Sequence, residues 1–531
     1  MLRITNIKLP YTHSQEEFLS AVTGKLHIAK KELHSLTIRK KSLDCRKKPE
    51  LYYVYTADVS CEKEEKILKR ARKQTDIQKA PKEEYLFETD GSRHLKERPL
   101  IIGSGPAGLF CGLALARAGY RPLIIERGKD VISRSKDVEL FWSKGILNPE
   151  SNAQFGEGGA GTFSDGKLNT LVRDKNGFGR KVLEEFVHFG ADPEIMIYAK
   201  PHVGTDTLLH ILQEMRKEIE ACGGSFLFQT KMTDLKEEGE EIEISLSNGE
   251  KLRSAVLVLA IGNSARDTFV RLQERRLPME AKAFAVGLRI EHPQEMINFN
   301  AYGRSAKEAN LPPSPYKVTG RSRAGRGVYS FCMCPGGYVI NASSQEGYTA
   351  VNGMSYHDRS GENANSAIIL TVDQKDFGSN DVLAGMHFQE ELEKRAYLLG
   401  QGAIPQQLLK DFARGKESSG YGEVISAHKG KAAFADLRRI FPEGMAEELL
   451  EGIQSFTRQI PSFDMGDAVL SGVESRSSSP IRILRDKSYE SKMKHVYPCG
   501  EGAGYAGGIV SAAMDGLRTA QAIAHVYAPI K

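Results

Sequence analysis

The sequence predicts an α/β protein: a Rossmann-like domain interrupted by a mixed α+β segment and preceded by a small α+β module of ferredoxin-like order. Three observations predict it. Leu100-Ile101-Ile102 runs straight into Gly103-Ser104-Gly105-Pro106-Ala107-Gly108 and then into a helix-forming stretch rich in Ala and Leu. Residues 500–527 return to a glycine-rich bend followed by a long helical pattern. Ahead of residue 93, hydrophobic periodicity alternates strand, helix, strand, strand, helix, in a segment of different composition.

Taken in order, residues 2–9 alternate as a strand, and Phe18, Leu19, Val22 and Leu26 give 16–26 a helical face. Strand patterns follow over 36–43 and 51–59, then a charged helix over 62–73. Polar residues with Pro81, Gly91 and Pro99 make 79–98 a linker. Beyond the first glycine bend, 178–189 and 205–222 read as helices, 224–251 as antiparallel strands, and 255–261 as an apolar strand. The region 279–463 is mixed, with strands over 283–290, 327–330, 338–341 and 366–372 and helices over 381–399 and 445–454. This gives four segments: a basic module, 1–92; the first part of the cofactor domain, 93–275; an inserted substrate or cap domain, 276–464; and the closing part of the cofactor domain, 465–531.

Composition narrows the class. A chain of 531 residues, 40% hydrophobic and 27% charged, buries several cores and stays soluble. No apolar run reaches the roughly 18–20 residues of a membrane helix, and the first residues lack the apolar centre of a signal peptide. Seven scattered cysteines do not make a disulfide framework. The expectation is a cytoplasmic protein without a membrane span.

The glycine bend carries the chemistry. Gly103 allows the tight turn, Gly105 lets a pyrophosphate approach the backbone, and Gly108 lets helix pack on strand. Pro106 and Ala107 begin a helix whose first N–H groups and positive dipole end favour phosphate. Glu126, closing the next strand, is placed to accept from a ribose hydroxyl. A second glycine-dense segment, 156–167, brings backbone close to a cofactor through Gly158, Gly159, Gly161 and Gly166, interleaved with Thr162, Asp165 and Lys167. No later strand is followed by another G-x-G-x-x-G, so no dedicated NAD(P)H domain is expected.

These motifs resemble the two-dinucleotide-fold flavoproteins, the group of glutathione-reductase-like and fumarate-reductase-like enzymes. Glu126-Arg127-Gly128 is similar to the strand ending of FAD domains. Ala260-Ile261-Gly262 resembles their A-T-G strand end, and Gly500-Glu501 their C-terminal G-D motif, with Glu in place of Asp. The bend Gly507-Gly508-Ile509 opens a helix that, by this resemblance, points at the flavin. Within that group the sequence is similar to FAD-dependent dehydrogenases of unassigned substrate, sometimes called NAD(FAD)-utilising dehydrogenases. Segments 155–167, 201–206, 332–337 and 474–480 carry that likeness. The resemblance implies non-covalent FAD and an oxidoreductase acting on an unidentified small molecule; without a dedicated domain, NAD(P)H as donor would stack transiently in the flavin cavity, and the alternative source of electrons is the substrate or a redox partner.

Three residues are candidates for chemistry beside the flavin. Cys332 and Cys334 offer a redox dithiol or half a metal site, or simply small side chains before a turn; no second Cys/His pair completes a metal set. By the resemblance, Arg476 lies near the flavin ring, where it would bind an anion or form an interdomain salt bridge. Residues 1–100 hold 22 Lys/Arg against 15 Asp/Glu, a net of +7 that leaves −2 for the rest. With Tyr52, Tyr53 and Tyr55 beside basic runs, RNA binding by this module is a rival reading. A noncatalytic flavin-bound sensor is another.

Overall fold

The computed structural model describes residues 1–71, 75–81, 85–170, 172–308 and 311–530. The end of the helix expected over 62–73 lies outside the described residues, and the helix is seen as Glu64–Arg70.

The first module forms from local signals. Helix Gln15–Leu26 opens on a capping box in which Ser14 Oγ accepts from Glu17 N (3.2 Å) and the Glu17 carboxylate accepts from Ser14 N (2.7 Å). Its Phe18, Val22 and Leu26 pack against Leu2, Ile4 and Val59. Four antiparallel strands make the sheet, in the order Leu33–Lys47, Glu50–Cys61, Leu2–Pro10, Ile77–Lys79. The long strand Leu33–Lys47 also reaches outward: Lys41 N donates to Ile197 O (2.6 Å), and Ala199 N donates to Lys41 O (2.9 Å). The module is thereby hydrogen-bonded to the rest of the protein.

A five-stranded parallel sheet runs Val496–Pro498, Leu257–Leu259, Leu100–Ile102, Leu123–Ile125, Ser225–Leu227. The last strand differs from the antiparallel reading of 224–251. Helix Thr205–Ala221 carries the chain back across the sheet, so the strand after it runs parallel, as such crossovers do. Only Met232–Glu238, Glu241–Leu246 and Lys251–Ser254 form the antiparallel meander. Helices Pro106–Arg117 and Ile509–Ala524 pack closely on one face, where a Cβ at Gly516 would stand 2.2 Å from Ala107 O.

A seven-stranded sheet follows the order Thr319–Arg321, Gly327–Cys334, Asn363–Val372, Phe284–Pro293, Val469–Glu474, Ile404–Leu408, Ala432–Phe434. Its course corrects the boundary expected at 464. Strand Val469–Glu474 pairs with Phe284–Pro293 on one side and Ile404–Leu408 on the other, so the sheet extends to Glu474. Buried strand edges need hydrogen-bond partners, and residues before 464 leave this edge of Phe284–Pro293 unpaired. Chain crossings between the two sheets are joined by the short pair Met279–Ala281 and Ile481–Ile483. The expected linker 79–98 is partly ordered as well: Arg93–His94 pairs with Tyr527–Ala528 near the C-terminus.

Candidate functional site

A cavity of about 1650 Å³ opens at the carboxyl ends of the parallel strands. Ligands collect there in open α/β sheets. Gly103 sits at φ +102°, and a Cβ on it would stand 2.3 Å from Ala260 O. A Cβ on Gly108 would stand 1.9 Å from Gly103 O, so this glycine serves helix–strand packing and does not face the cavity. Gly105 is the N-cap of helix Pro106–Arg117, which has no side-chain cap, and Gly105, Pro106 and Ala107 all border the cavity. The first amides of that helix are left for a ligand.

Glu126 borders the cavity too, but its carboxylate already accepts four hydrogen bonds. Ser104 N (2.9 Å) and Ser104 Oγ (2.8 Å) donate to one oxygen, Gly128 N (2.9 Å) and Gly156 N (3.0 Å) to the other. A carboxylate has about four such sites. A sugar hydroxyl would therefore replace the Ser104 hydroxyl, the one donor of the four that can rotate away. Arg127 lies over Phe155 (4.3 Å) and pairs with Asp267 (2.7 Å).

The glycine-dense loop divides. Gly159, Gly161, Asp165, Gly166 and Lys167 line the cavity. Thr162 and Gly158 do not: Thr162 Oγ1 accepts from Arg134 (3.2 Å), and a Cβ on Gly158 would stand 2.2 Å from that same oxygen. Gly128 packs likewise against Gly156, and Gly500 against Ala107. These four positions hold the cavity wall from behind, a correction to the direct cofactor contact expected of them. Asp165 forms a buried two-bond pair with Arg359 (2.9 and 2.5 Å).

At the other end, Ala260, Gly262, Glu501, Gly507, Gly508 and Ile509 face the cavity. A Cβ at Gly262, Gly507 or Gly508 would meet no protein atom within 4 Å. Helix Ile509–Ala524 begins there, again with no side-chain cap. Glu501 accepts from Asn263 Nδ2 (2.8 Å), and burial pushes its carboxyl up to about 7. Lys282, which sequence reasoning missed, also borders the cavity, and burial lowers its ammonium. A carboxyl raised in the folded state stabilises fully below its unfolded value, roughly 4.3, and that contribution is lost as pH rises through about 7. Without cofactor, the protein should therefore unfold at lower urea at about pH 8 than at about pH 5.5, and Glu501→Gln should shrink that gap. An unchanged gap in paired urea melts would refute the burial argument.

Of the two roles expected of Arg476, its partners form the salt bridge. Its guanidinium donates to Glu393 (2.9 and 2.8 Å), Ser344 (2.6 Å) and Ser264 (3.1 Å). Glu393 is fully buried and also accepts from Arg266 (2.7 and 2.9 Å) and Ser475 (2.6 Å). Arg476 borders the cavity but belongs to a clamp joining helix Ala384–Gly400 to the segment after the seven-stranded sheet. Cys332 and Cys334 are free thiols at the end of strand Gly327–Cys334, just before the turn at Pro335-Gly336. A bulge puts Cys332 at φ +41° on the cavity wall, with Arg289 donating to its carbonyl. Cys332 is exposed on the cavity wall and Cys334 is buried behind it, and desolvation by the surrounding protein raises both thiols. Among the described residues, no group of three or more His, Cys, Asp or Glu is placed to hold a metal ion.

The basic and aromatic stripe of the first module is split. Tyr55 packs with His13 and Phe18, Tyr52 lies under Lys8, and Tyr53 turns to the cavity.

Residues 101–147 match an NAD(P)-binding Rossmann-like domain, and residues 283–477 match the family FAD-dependent protein, C-terminal domain-like. Residues 1–60 match a domain of unknown function. An uncharacterized protein of Clostridium beijerinckii is 43% identical over 526 residues, covering 98% of both chains. The two belong to one family. The cofactor of this FAD-dependent protein is FAD. Its residues fit the group: an uncapped helix start for a diphosphate, and glycines whose missing side chains leave the cavity wall open. Two solved structures share a remote likeness. CtdE in complex with FAD is 9% identical, covering 82% of this chain and 84% of that one at a TM-score of 0.33. Glycine oxidase from Geobacillus kaustophilus is 9% identical, covering 81% and 93% at a TM-score of 0.33. Among the described residues, no helix is long and apolar enough to cross a membrane.

Proposed function

We propose that this protein is an FAD-dependent oxidoreductase, a dehydrogenase or reductase acting on a small molecule, with NAD(P)H as a transient donor. One observation carries the reading: two uncapped helix starts, at Gly105 and Gly508, open on one glycine-lined cavity at the strand ends. Bound there, FAD supplies hydride exchange at its ring nitrogen N5. The protein's own residues do the rest. Gly105 and Ala107 give a diphosphate backbone amides, and the helix that Pro106 opens gives it a positive dipole end. Glu126 and Glu501 offer acceptors to sugar and ribityl hydroxyls, and the start of helix Ile509–Ala524 places partial positive charge where a reduced ring is anionic. Gly159, Gly161 and Gly166 let the backbone approach a planar ring, with Lys167 beside them.

The test is the visible spectrum of the purified protein, before and after anaerobic addition of NADH or NADPH. A yellow protein bleached by one of them meets the expectation. Colourless protein that stays so after incubation with FAD would refute it, and a yellow protein reduced by neither would point to the noncatalytic sensor.

A further inference from the structure

The cavity is larger than its cofactor needs. Sites for single ligands span roughly 300–1,000 Å³, whereas this one holds about 1650 Å³. Besides the glycine bends, three segments far apart in the chain line it. The N-terminal module supplies Lys41 and Tyr53, the stretch after Pro193–Met196 supplies Tyr198 and Lys200, and the loop before strand Thr319–Arg321 supplies Tyr316 and Lys317. The backbone bonds between Lys41 and residues 197 and 199 close this chamber on the module side.

Two properties define what fits. The first is aromatic and apolar walling: Lys41 Nζ lies 4.4 Å from the Tyr53 ring centre and 5.1 Å from that of Tyr198, and the Tyr316 hydroxyl is buried without a hydrogen-bond partner. Rings with hydroxyl tips favour a flat ligand carrying a polar group. The second is unbalanced charge. Lys41, Lys200 and Lys317 have no carboxylate partner among the described residues. Asp192 caps the turn at Glu194 N (2.8 Å), and the Tyr198 hydroxyl accepts from Lys41 Nζ (3.5 Å). Lys200 is exposed at the cavity rim, and desolvation by the neighbouring protein holds its ammonium below the ordinary lysine value. Lys167, within electrostatic reach of Lys200 and bridged through its backbone to His202, connects the chamber to the glycine loop.

Resting on the oxidoreductase reading, we propose that this chamber is the substrate site and that its ligand is a small aromatic carboxylate, held by Lys41 and Lys200 with its ring against Tyr53 and Tyr198. The N-terminal module is then a wall of the substrate site, not an appendage.

The test is calorimetric titration of the full-length protein with 2-naphthoate and with its neutral counterpart, 2-naphthamide, after the visible spectrum is recorded. The acid should bind at least about tenfold more tightly than the amide, as one lost charge-assisted contact implies. Lys41→Met and Lys200→Met should each weaken the acid about tenfold and leave the amide within about twofold, and Lys200→Arg should keep most of the affinity. Equal binding of acid and amide, no heat with the acid at millimolar concentration, or an acid affinity unmoved by both methionine variants would overturn the proposal. Protein without flavin would instead sink the oxidoreductase reading, since the heat of binding reads the chamber directly.

Discussion

Gly105→Leu should give a folded protein that has lost its flavin. Gly105 has φ −72° and ψ −179°, backbone that any residue adopts. A Cβ there meets only Gly159 Cα, at 3.8 Å, and beyond it lies the cavity. A leucine side chain would fill the space before the uncapped helix start, where the diphosphate is proposed to sit. We expect bound FAD to fall at least about a hundredfold, a cost near 3 kcal/mol, with the thermal midpoint of cofactor-free protein little changed. Gly108→Leu supplies the contrast. Its Cβ would fall 1.9 Å from Gly103 O and 3.4 Å from Ala260 Cβ, so it should cost the fold itself several kcal/mol of overpacking. Flavin content and thermal melts of both variants, side by side, check the argument. A yellow Gly105→Leu protein with full FAD would show that the bend does not hold the diphosphate.

Glu393→Ala should be the most damaging change outside the glycines. The carboxylate lies between Arg266 and Arg476, all three mostly buried. Removing it leaves two guanidinium groups facing each other without compensation, which costs about 3–5 kcal/mol. Those two arginines hold the carboxyl of Glu393 well below the usual carboxylate range. A depressed value means that the stabilisation is complete above the unfolded value, about 4.3, and is lost only as pH falls through the lower folded value. The gap between parent and variant in urea melts should therefore stay constant from about pH 5 to 8 and close only in strong acid. A variant as stable as the parent at pH 7 would show that the clamp does not bind the two parts of the protein together.

Much of the cofactor half was legible along the chain because its signals are local. A tight turn, a close phosphate approach and a helix packed on a strand each demand glycine at a fixed place, and Gly103, Gly105 and Gly108 answer them in consecutive turns of backbone. Helix Gln15–Leu26 was likewise written in its own capping box. Glu126 was found at the right strand end, but not the four donors that occupy it, since Gly156 comes from a separate segment. Strand Val469–Glu474 has the same local pattern whichever sheet it joins, so the domain boundary fell too early. For Arg476 the sequence leaves anion binding and a salt bridge both open, because its partner, Glu393, is far away in sequence and looks like any helical glutamate.

The sequence by itself determined the dinucleotide bend, the helix behind it and the chemical class of the cofactor, because each depends on residues within a few positions of one another. Only the tertiary structure decided which cations are neutralised and which are left facing a cavity. A charge is set by its neighbours in space, and the neighbours of Arg476 and of Lys41 come from segments that meet only when the chain has folded.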